Sequence, residues 1–182
     1  TLVSSSAASD VYKRQKDIYS RAANVIGKII SRNHKYRDEF VIIGAHFDHL
    51  GYGGPGSGSL KPDTNAVHNG ANDNASGTAG LLELAHKLQA NRKLLKRSIL
   101  FIAFDAEEKG LLGSKYFVQN PTINIKNVSA MINMDMIGKM RDSTVIIGGV
   151  GTSPVFEHIL DSLAIDTGLK FEYDKAGYGP VS

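Results

Sequence analysis

The sequence predicts an α/β fold, a three-layer sandwich in which helices flank a mixed, mainly parallel central sheet. Apolar segments of strand length alternate along the chain with segments of helical period, which is typical of such folds. Residues 98–104 form a nearly continuous apolar run, as expected for a central strand covered on both faces. With 42% hydrophobic and 21% charged residues, the composition is that of a globular chain.

Four further strands are predicted from β-branched or apolar runs, at 22–30, 40–45, 128–137 and 144–148. A polar, charged turn at 31–39 separates the first two, so we expect them to form a hairpin. The run at 128–137 is apolar enough to predict another buried strand.

Three helices complete the alternation. Residues 78–90 carry an apolar stripe with the helical period. A second helix is predicted at 111–119, ending before Pro121. The third is predicted at 154–166, with Ser153 as its N-cap and a proline at its first position.

A long loop precedes the first helix. It is rich in glycine at 51–58 and continues to about Asn72. Loops of this length inside a compact domain are usually functional, so we expect it to rim a substrate pocket; a purely structural loop remains an equal alternative.

Composition excludes several function classes. The 182 residues contain no cysteine, which excludes disulfides, thiolate zinc sites and a cysteine nucleophile. A net charge of +3 without a basic face gives no support to nucleic-acid binding. No run reaches the ~18–20 apolar residues of a membrane-spanning helix. There is neither a phosphate-binding P-loop nor a G-x-S-x-G nucleophile motif.

Both ends of the chain resemble translated adapter sequence. Ser5 to Gln15 matches the translation of a transposase-type library adapter, so we expect residues 1–15 to be an artefact rather than structure. The last three residues fit the reverse complement of that adapter. Residues 16–182 are then expected to be an incomplete domain that lacks its C-terminal part.

Acidic and imidazole side chains follow the predicted strands at the edge where ligands of such sheets bind. They are His46, Asp48, Asp73, Glu107, Glu108 and Asp135. Converging carboxylates repel one another unless cations neutralise them. An oxygen-rich site with one imidazole suits Zn²⁺, Mn²⁺ or Co²⁺.

Each residue of this set also has an ordinary explanation. His46 alone is compatible with a hydrogen-bonded histidine, and Glu107 and Glu108 with a solvated loop. Asp73 alone is compatible with a helix cap. Asp135 is harder to explain in that way, because it lies in an apolar strand where a carboxylate needs a partner. The conjunction in this order is far more specific than any member.

That conjunction resembles the di-zinc aminopeptidase family, which includes bacterial leucyl aminopeptidases, glutamate carboxypeptidase and the transferrin receptor ectodomain. The matching stretches are 41–51, 70–77, 104–114 and 131–138, and with their spacers they cover nearly all of 22–179. The resemblance implies a metal-dependent exopeptidase acting on peptides or proteins, with two Zn²⁺ per complete domain. It also suggests a secreted or periplasmic location.

The resemblance assigns a role to each residue of the set. His46 and Asp135 would bind the first zinc, and Asp73 would bridge both ions. The carboxylate of Asp48 would accept a hydrogen bond from the other ring nitrogen of His46. The family often has a cis peptide bond after the bridging aspartate, here between Asp73 and Asn74.

The remaining two acids are adjacent. Glu108 would bind the second zinc, and Glu107, next to the ions but not coordinated, would be the general base. The family's second zinc also needs a histidine in a Ser-Asp-His segment after a Gly-Pro such as Gly179-Pro180, but this sequence stops two residues later.

No other histidine is a convincing replacement for that missing ligand. His49 and His68 are expected to lie in the wrong loop, and His86 and His158 on helix surfaces. We therefore expect the 182-residue chain to be inactive or severely impaired, although its parent enzyme would be active. The alternatives are a single-zinc glutaminyl cyclase-like enzyme and a non-catalytic receptor-like ectodomain of the same fold.

Overall fold

The computed structural model describes residues 21–165 and 167–174. Its strands are β1 (Val25–Ile29), β2 (Phe40–His46), β3 (Ser98–Phe104), β4 (Val128–Asn133), β5 (Thr144–Gly148) and β6 (Lys170–Asp174). Its α-helices are α1 (Gly77–Ala90), α2 (Leu112–Gln119) and α3 (Phe156–Ala164). The suspected adapter at 1–15, the Gly-Pro pair at 179–180 and the predicted helix end at residue 166 lie outside the described residues.

The main sheet has four strands in the order β1-β3-β2-β4. Strand β2 is parallel to both β3 and β4, whereas β1 is antiparallel to β3. His46 at the end of β2 pairs with Phe104 at the end of β3, so the carboxyl ends of these strands coincide. The predicted mixed, mainly parallel sheet is thereby confirmed.

The predicted hairpin of the first two strands is wrong. Strand β1 pairs with β3, from Val25 opposite Ala103 to Ile29 opposite Ile99. Hydrogen bonds direct this crossover: Ser31 N–H donates to the Ser98 side chain, and the Ser98 hydroxyl donates to the Arg37 carbonyl. The most apolar strand, β3, thereby lies between two partners, where its backbone and both faces are covered.

Helices cover both faces of the sheet, which confirms the three layers. On one face, Leu81 of α1 packs against Ile43 and Phe101. On the other, Phe117 of α2 packs with Ile42, Leu100, Ile102 and Phe104. Strand β3 is buried at six of its seven positions, as its apolar run predicts.

The predicted buried strand at 128–137 is only partly correct. Strand β4 ends at Asn133 and pairs with β2 alone among the described strands. Its position at the edge leaves Met131 47% and Ile132 54% exposed, so an apolar sequence did not guarantee burial. Asp135 consequently lies in the loop that follows the strand.

The C-terminal helix also differs from its prediction. Helix α3 begins at Phe156, and Ser153 accepts the Phe156 N–H through its main-chain carbonyl rather than acting as a side-chain N-cap. Strands β5 and β6 pair in parallel as a separate two-stranded sheet next to α3. Among residues 21–165 and 167–174, no helix is both long and apolar enough to span a bilayer.

Candidate metal centre

The carboxyl end of β2 carries the most buried member of the site, His46, whose side chain is 3% exposed. The chain then turns away from the sheet, and Phe47 N–H donates to the Phe104 carbonyl at 2.9 Å. This bond joins the loops that leave β2 and β3. It therefore brings the Glu107–Glu108 pair beside His46, as the parallel register predicts.

Asp73 reaches the same place from the segment before α1. The peptide bond between Asp73 and Asn74 is cis, as predicted from the family resemblance. The buried amide of Asn74 donates to the Met134 carbonyl at 3.0 Å and accepts the main-chain N–H groups of Gly77 and Met136. Asn74, which the sequence reasoning missed, thus ties the loop of Asp73 to the loop of Asp135.

Three of the predicted ligands form a compact group. The Nε2 atom of His46 lies 3.2 Å from Oδ1 of Asp73 and 3.4 Å from Oδ1 of Asp135. Tetrahedral zinc with bond lengths near 2.0–2.1 Å separates its ligand atoms by about 3.3 Å. One nitrogen and two carboxylate oxygens at this spacing therefore fit the divalent cation that the sequence predicts.

A second group shares Asp73. Its Oδ2 atom lies 3.9 Å from Nδ1 of His49, and that nitrogen lies 2.7 Å from Oε1 of Glu108. The two oxygens of Asp73 thus face two different sets of donor atoms, the geometry that a bridging carboxylate needs. The expectation that His49 lies in the wrong loop is wrong, because its Nδ1 atom lies beside Asp73 and Glu108.

Three other histidines, His68, His86 and His158, are where the sequence analysis expected them. His68 uses its ring nitrogens on the Ser59 hydroxyl and the Ala66 carbonyl, away from the acids. His86 and His158 are exposed on helices. The only sequence signal for His49 was its place in the turn that leaves β2 at the edge where ligands bind.

Asp48 contacts a different partner from the one predicted. Its carboxylate accepts the main-chain N–H groups of Glu107 at 2.9 Å and Glu108 at 3.2 Å. The ring Nδ1 of His46 instead lies 3.2 Å from the Asp48 main-chain carbonyl, while the carboxylate is 3.7 Å away, beyond hydrogen-bond range. Because the carbonyl contacts Nδ1, the lone pair of Nε2 is still available to bind a metal ion.

Electrostatics of the site shift two pKa values. Burial lowers the pKa of His46, but the carboxylates of Asp135 and Glu107 outweigh it, so the pKa lies above its ordinary value. Burial raises the pKa of Glu107; His46 opposes this change, and Glu108 adds to it. The surrounding acids thus raise the pKa of His46, whereas burial is the main cause of the raised pKa of Glu107.

Among the described residues, no lysine or arginine side chain neutralises this concentration of acid. Within residues 21–165 and 167–174, the ion-pair partners of Asp73, Asp135, Glu107 and Glu108 are histidines and include no lysine or arginine. A bound divalent cation would supply the missing positive charge. The donor set therefore fits zinc in charge as well as in spacing.

Comparison with known proteins decides the family. The model of peptidase family M28 matches residues 24–180. The chain belongs to this family. This M28 chain is 36% identical over 116 residues to aminopeptidase YwaD of Bacillus subtilis, and the match covers 63% of this chain and 22% of that protein. It is 35% identical over 114 residues to a probable zinc metalloprotease of Phaeosphaeria nodorum, covering 59% and 23%.

A solved structure agrees with this M28 assignment. The zinc aminopeptidase BSAP from Bacillus subtilis superposes with a TM-score of 0.60 and 28% identity over 84% of this chain and 34% of that one. The chain thus spans about a quarter of the length of these curated relatives and a third of the structural one. The family and the fold are shared, and the named relatives are an aminopeptidase, a probable zinc metalloprotease and a zinc aminopeptidase.

Proposed function

We propose that this M28 chain forms the metal-binding part of an aminopeptidase-like exopeptidase, which hydrolyses peptide bonds with water activated by two zinc ions. The observation that carries the proposal is the position of the Asp73 carboxylate between two groups of donor atoms. One of its oxygens faces His46 and Asp135, and the other faces the group that contains Glu108. Two adjacent cation positions sharing one carboxylate are typical of two-metal hydrolases.

In this proposal His46, Asp73 and Asp135 hold the first zinc, and Asp73 and Glu108 hold the second. When bound, the ions lower the pKa of a water molecule and polarise the substrate carbonyl. The Asp48 carbonyl at Nδ1 orients His46 so that Nε2 faces Asp73 and Asp135, where it would bind the first ion. The buried amide of Asn74 keeps the two aspartates at a fixed separation.

Glu107 is proposed as the general base. Its Oε2 atom lies 3.9 Å from His46 Nε2, close to the first group but in neither ligand set. The Glu107 carboxylate would accept a proton from water and return it to the leaving amine. Asp48 positions it by holding the main chain of Glu107 and Glu108.

The chain spans about a quarter of the length of its curated relatives, so the activity of the whole protein belongs to this proposal.

The test measures the zinc content of the protein together with its hydrolysis of an aminoacyl-p-nitroanilide. We expect Glu107→Gln to keep the zinc and to lower kcat by about 10²–10⁴-fold, the range that general-base catalysis contributes. Glu83→Gln, at an exposed position on α1, is the control and should retain full activity. A zinc-free wild-type protein would instead support the receptor-like alternative.

A further inference from the structure

The imidazole of His49 lies among the acids of the second group, although the family resemblance gives this residue no role. We propose that Nδ1 of His49 is a ligand of the second divalent cation, together with Asp73 and Glu108. The inference rests on the proposed function, because it concerns one of the two cation positions proposed there.

Distances support three converging donors. From Nδ1 of His49, Oε1 of Glu108 lies at 2.7 Å and Oδ2 of Asp73 at 3.9 Å. These values lie on either side of the spacing of about 3.3 Å that tetrahedral zinc imposes on its ligand atoms. Small side-chain rotations would equalise them.

Packing holds the imidazole against the segment that carries Asp73. A Cβ atom at Gly70 would lie 2.9 Å from Cγ and 3.0 Å from Cβ of His49, so only glycine leaves room for this contact. Gly70 also has a φ of 63°, which glycine tolerates best. The two ligand-bearing segments, 46–49 and 70–76, are therefore in direct contact.

Burial is appropriate for a ligand at the wall of an accessible site. The side chain of His49 is 20% exposed and that of Glu108 is 17% exposed. An imidazole nitrogen beside two carboxylates supplies the donor combination of one nitrogen and two oxygens that the first group also has. His49 would thus give the second cation a nitrogen ligand from within this chain.

A matched control lies in the following loop. The ring of His68 is 6.4 Å from that of His49, but its nitrogens bond to Ser59 and to the Ala66 carbonyl. Replacing His68 therefore removes a neighbouring imidazole without removing a proposed ligand.

The experiment is a Co²⁺ titration of the metal-free 182-residue chain, followed by visible absorption and by equilibrium dialysis. We expect the wild type and His68→Ala to bind a first and a second equivalent. His49→Ala should bind the first equivalent normally and the second more weakly. The loss of affinity for the second equivalent should exceed the factor of about 10–100 that loss of an outer-sphere partner costs. Added free imidazole should restore part of the second equivalent to His49→Ala.

His49→Asn provides a second variant, because its amide can donate to Glu108 but is a poor cation ligand. It should weaken the binding of the second equivalent as His49→Ala does. If either variant binds both equivalents as tightly as the wild type, the proposed ligand role is overturned while the proposed function stands. If the wild type binds only one equivalent, the ligand role of His49 is likewise overturned while the proposed function stands. If the wild type binds none, the ligand role and the proposed function are both overturned.

Ring nitrogen NMR of the wild type tests the inference without any variant. The signal of His49 Nδ1 should shift to a metal-bound position as the second equivalent of Zn²⁺ is added, and the signals of His68 should stay in place. An unshifted His49 signal with both equivalents bound would overturn the ligand assignment and leave the two-cation site intact.

Discussion

Single residues in this site act through main-chain contacts as well as through their own side chains. Asp48 shows this best, since its carboxylate bonds to the N–H groups of Glu107 and Glu108 and not to the imidazole of His46. Two N–H donors on one carboxylate fix the start of the loop after β3. The orientation of both glutamates therefore depends on a residue that is in neither cation group.

Asp48→Asn should disturb this loop with little change in volume. The amide presents a donor where the carboxylate had an acceptor, so one main-chain N–H loses its partner at a cost of about 1–3 kcal/mol. We expect zinc affinity to fall by about 10–100-fold, as for other groups that position ligands. Calorimetric zinc titration measures this, and Asp38→Asn, at an exposed position, is the control. Equal affinities in both variants would refute the positioning role.

Much of the site at this scale could be predicted from the sequence. His46, Asp73 and Asp135 meet as expected, because parallel strands end at one edge and their following residues converge there. His49 could not be predicted, since its ring position depends on the contact with Gly70, which lies 21 positions further along the chain. The Asp48 contact likewise depends on loop geometry that spacing does not encode.

At the scale of elements, two loops from different parts of the chain are joined by one buried amide. Asn74 is 1% exposed and bonds to the segment 134–136 that carries Asp135. It also accepts the N–H of Gly77 at the start of α1. The relative position of the two aspartates is therefore set by a helix start and a strand end together.

Asn74→Ala should loosen that junction. It leaves the Met134 carbonyl and the N–H groups of Gly77 and Met136 without this partner, so we expect the free energy of unfolding to fall by about 3 kcal/mol or more. Urea denaturation measures the change. Asn120→Ala removes only an exposed bond to the Tyr116 carbonyl and should cost less than about 1 kcal/mol. Similar losses in the two variants would contradict the account.

Strand prediction succeeded or failed for a physical reason in each case. The apolar run of β3 predicts a covered strand because every side chain on both faces must be buried. The prediction that β1 and β2 form a hairpin was wrong. It relied on their closeness in sequence, whereas β1 pairs with β3 and the hydrogen bond between Ser31 and Ser98 supports that pairing. Burial of β4 was overestimated because nothing in its own residues shows that it lies at an edge of the described sheet.

At the scale of the whole molecule, the sheet presents its acids at one edge and leaves their charge uncompensated by lysine or arginine among the described residues. Repulsion among these groups opposes folding, and bound cations would relieve it. Cation binding and stability should therefore be linked in this chain.

Zinc should consequently raise the thermal stability of the 182-residue chain. At a free concentration about 100 times Kd, binding to the native state alone adds about 2.7 kcal/mol, which corresponds to a rise in Tm of roughly 5–10 °C for a domain of this size. Differential scanning fluorimetry with and without a chelator measures the shift. His46→Ala with Asp135→Asn, which removes the first cation group, should reduce the shift, and an unchanged shift in that double variant would place the stabilising zinc elsewhere.

The central claim is that His46, Asp73, Glu108 and Asp135 surround divalent cations. Its most direct test is a crystal structure of the zinc-soaked protein, with anomalous differences collected above and below the zinc absorption edge. The account predicts one anomalous peak about 2.0–2.2 Å from His46 Nε2 and from the carboxylates of Asp73 and Asp135, and another beside Glu108 on the far side of Asp73. Zinc peaks elsewhere, with these four side chains free of metal, would contradict it.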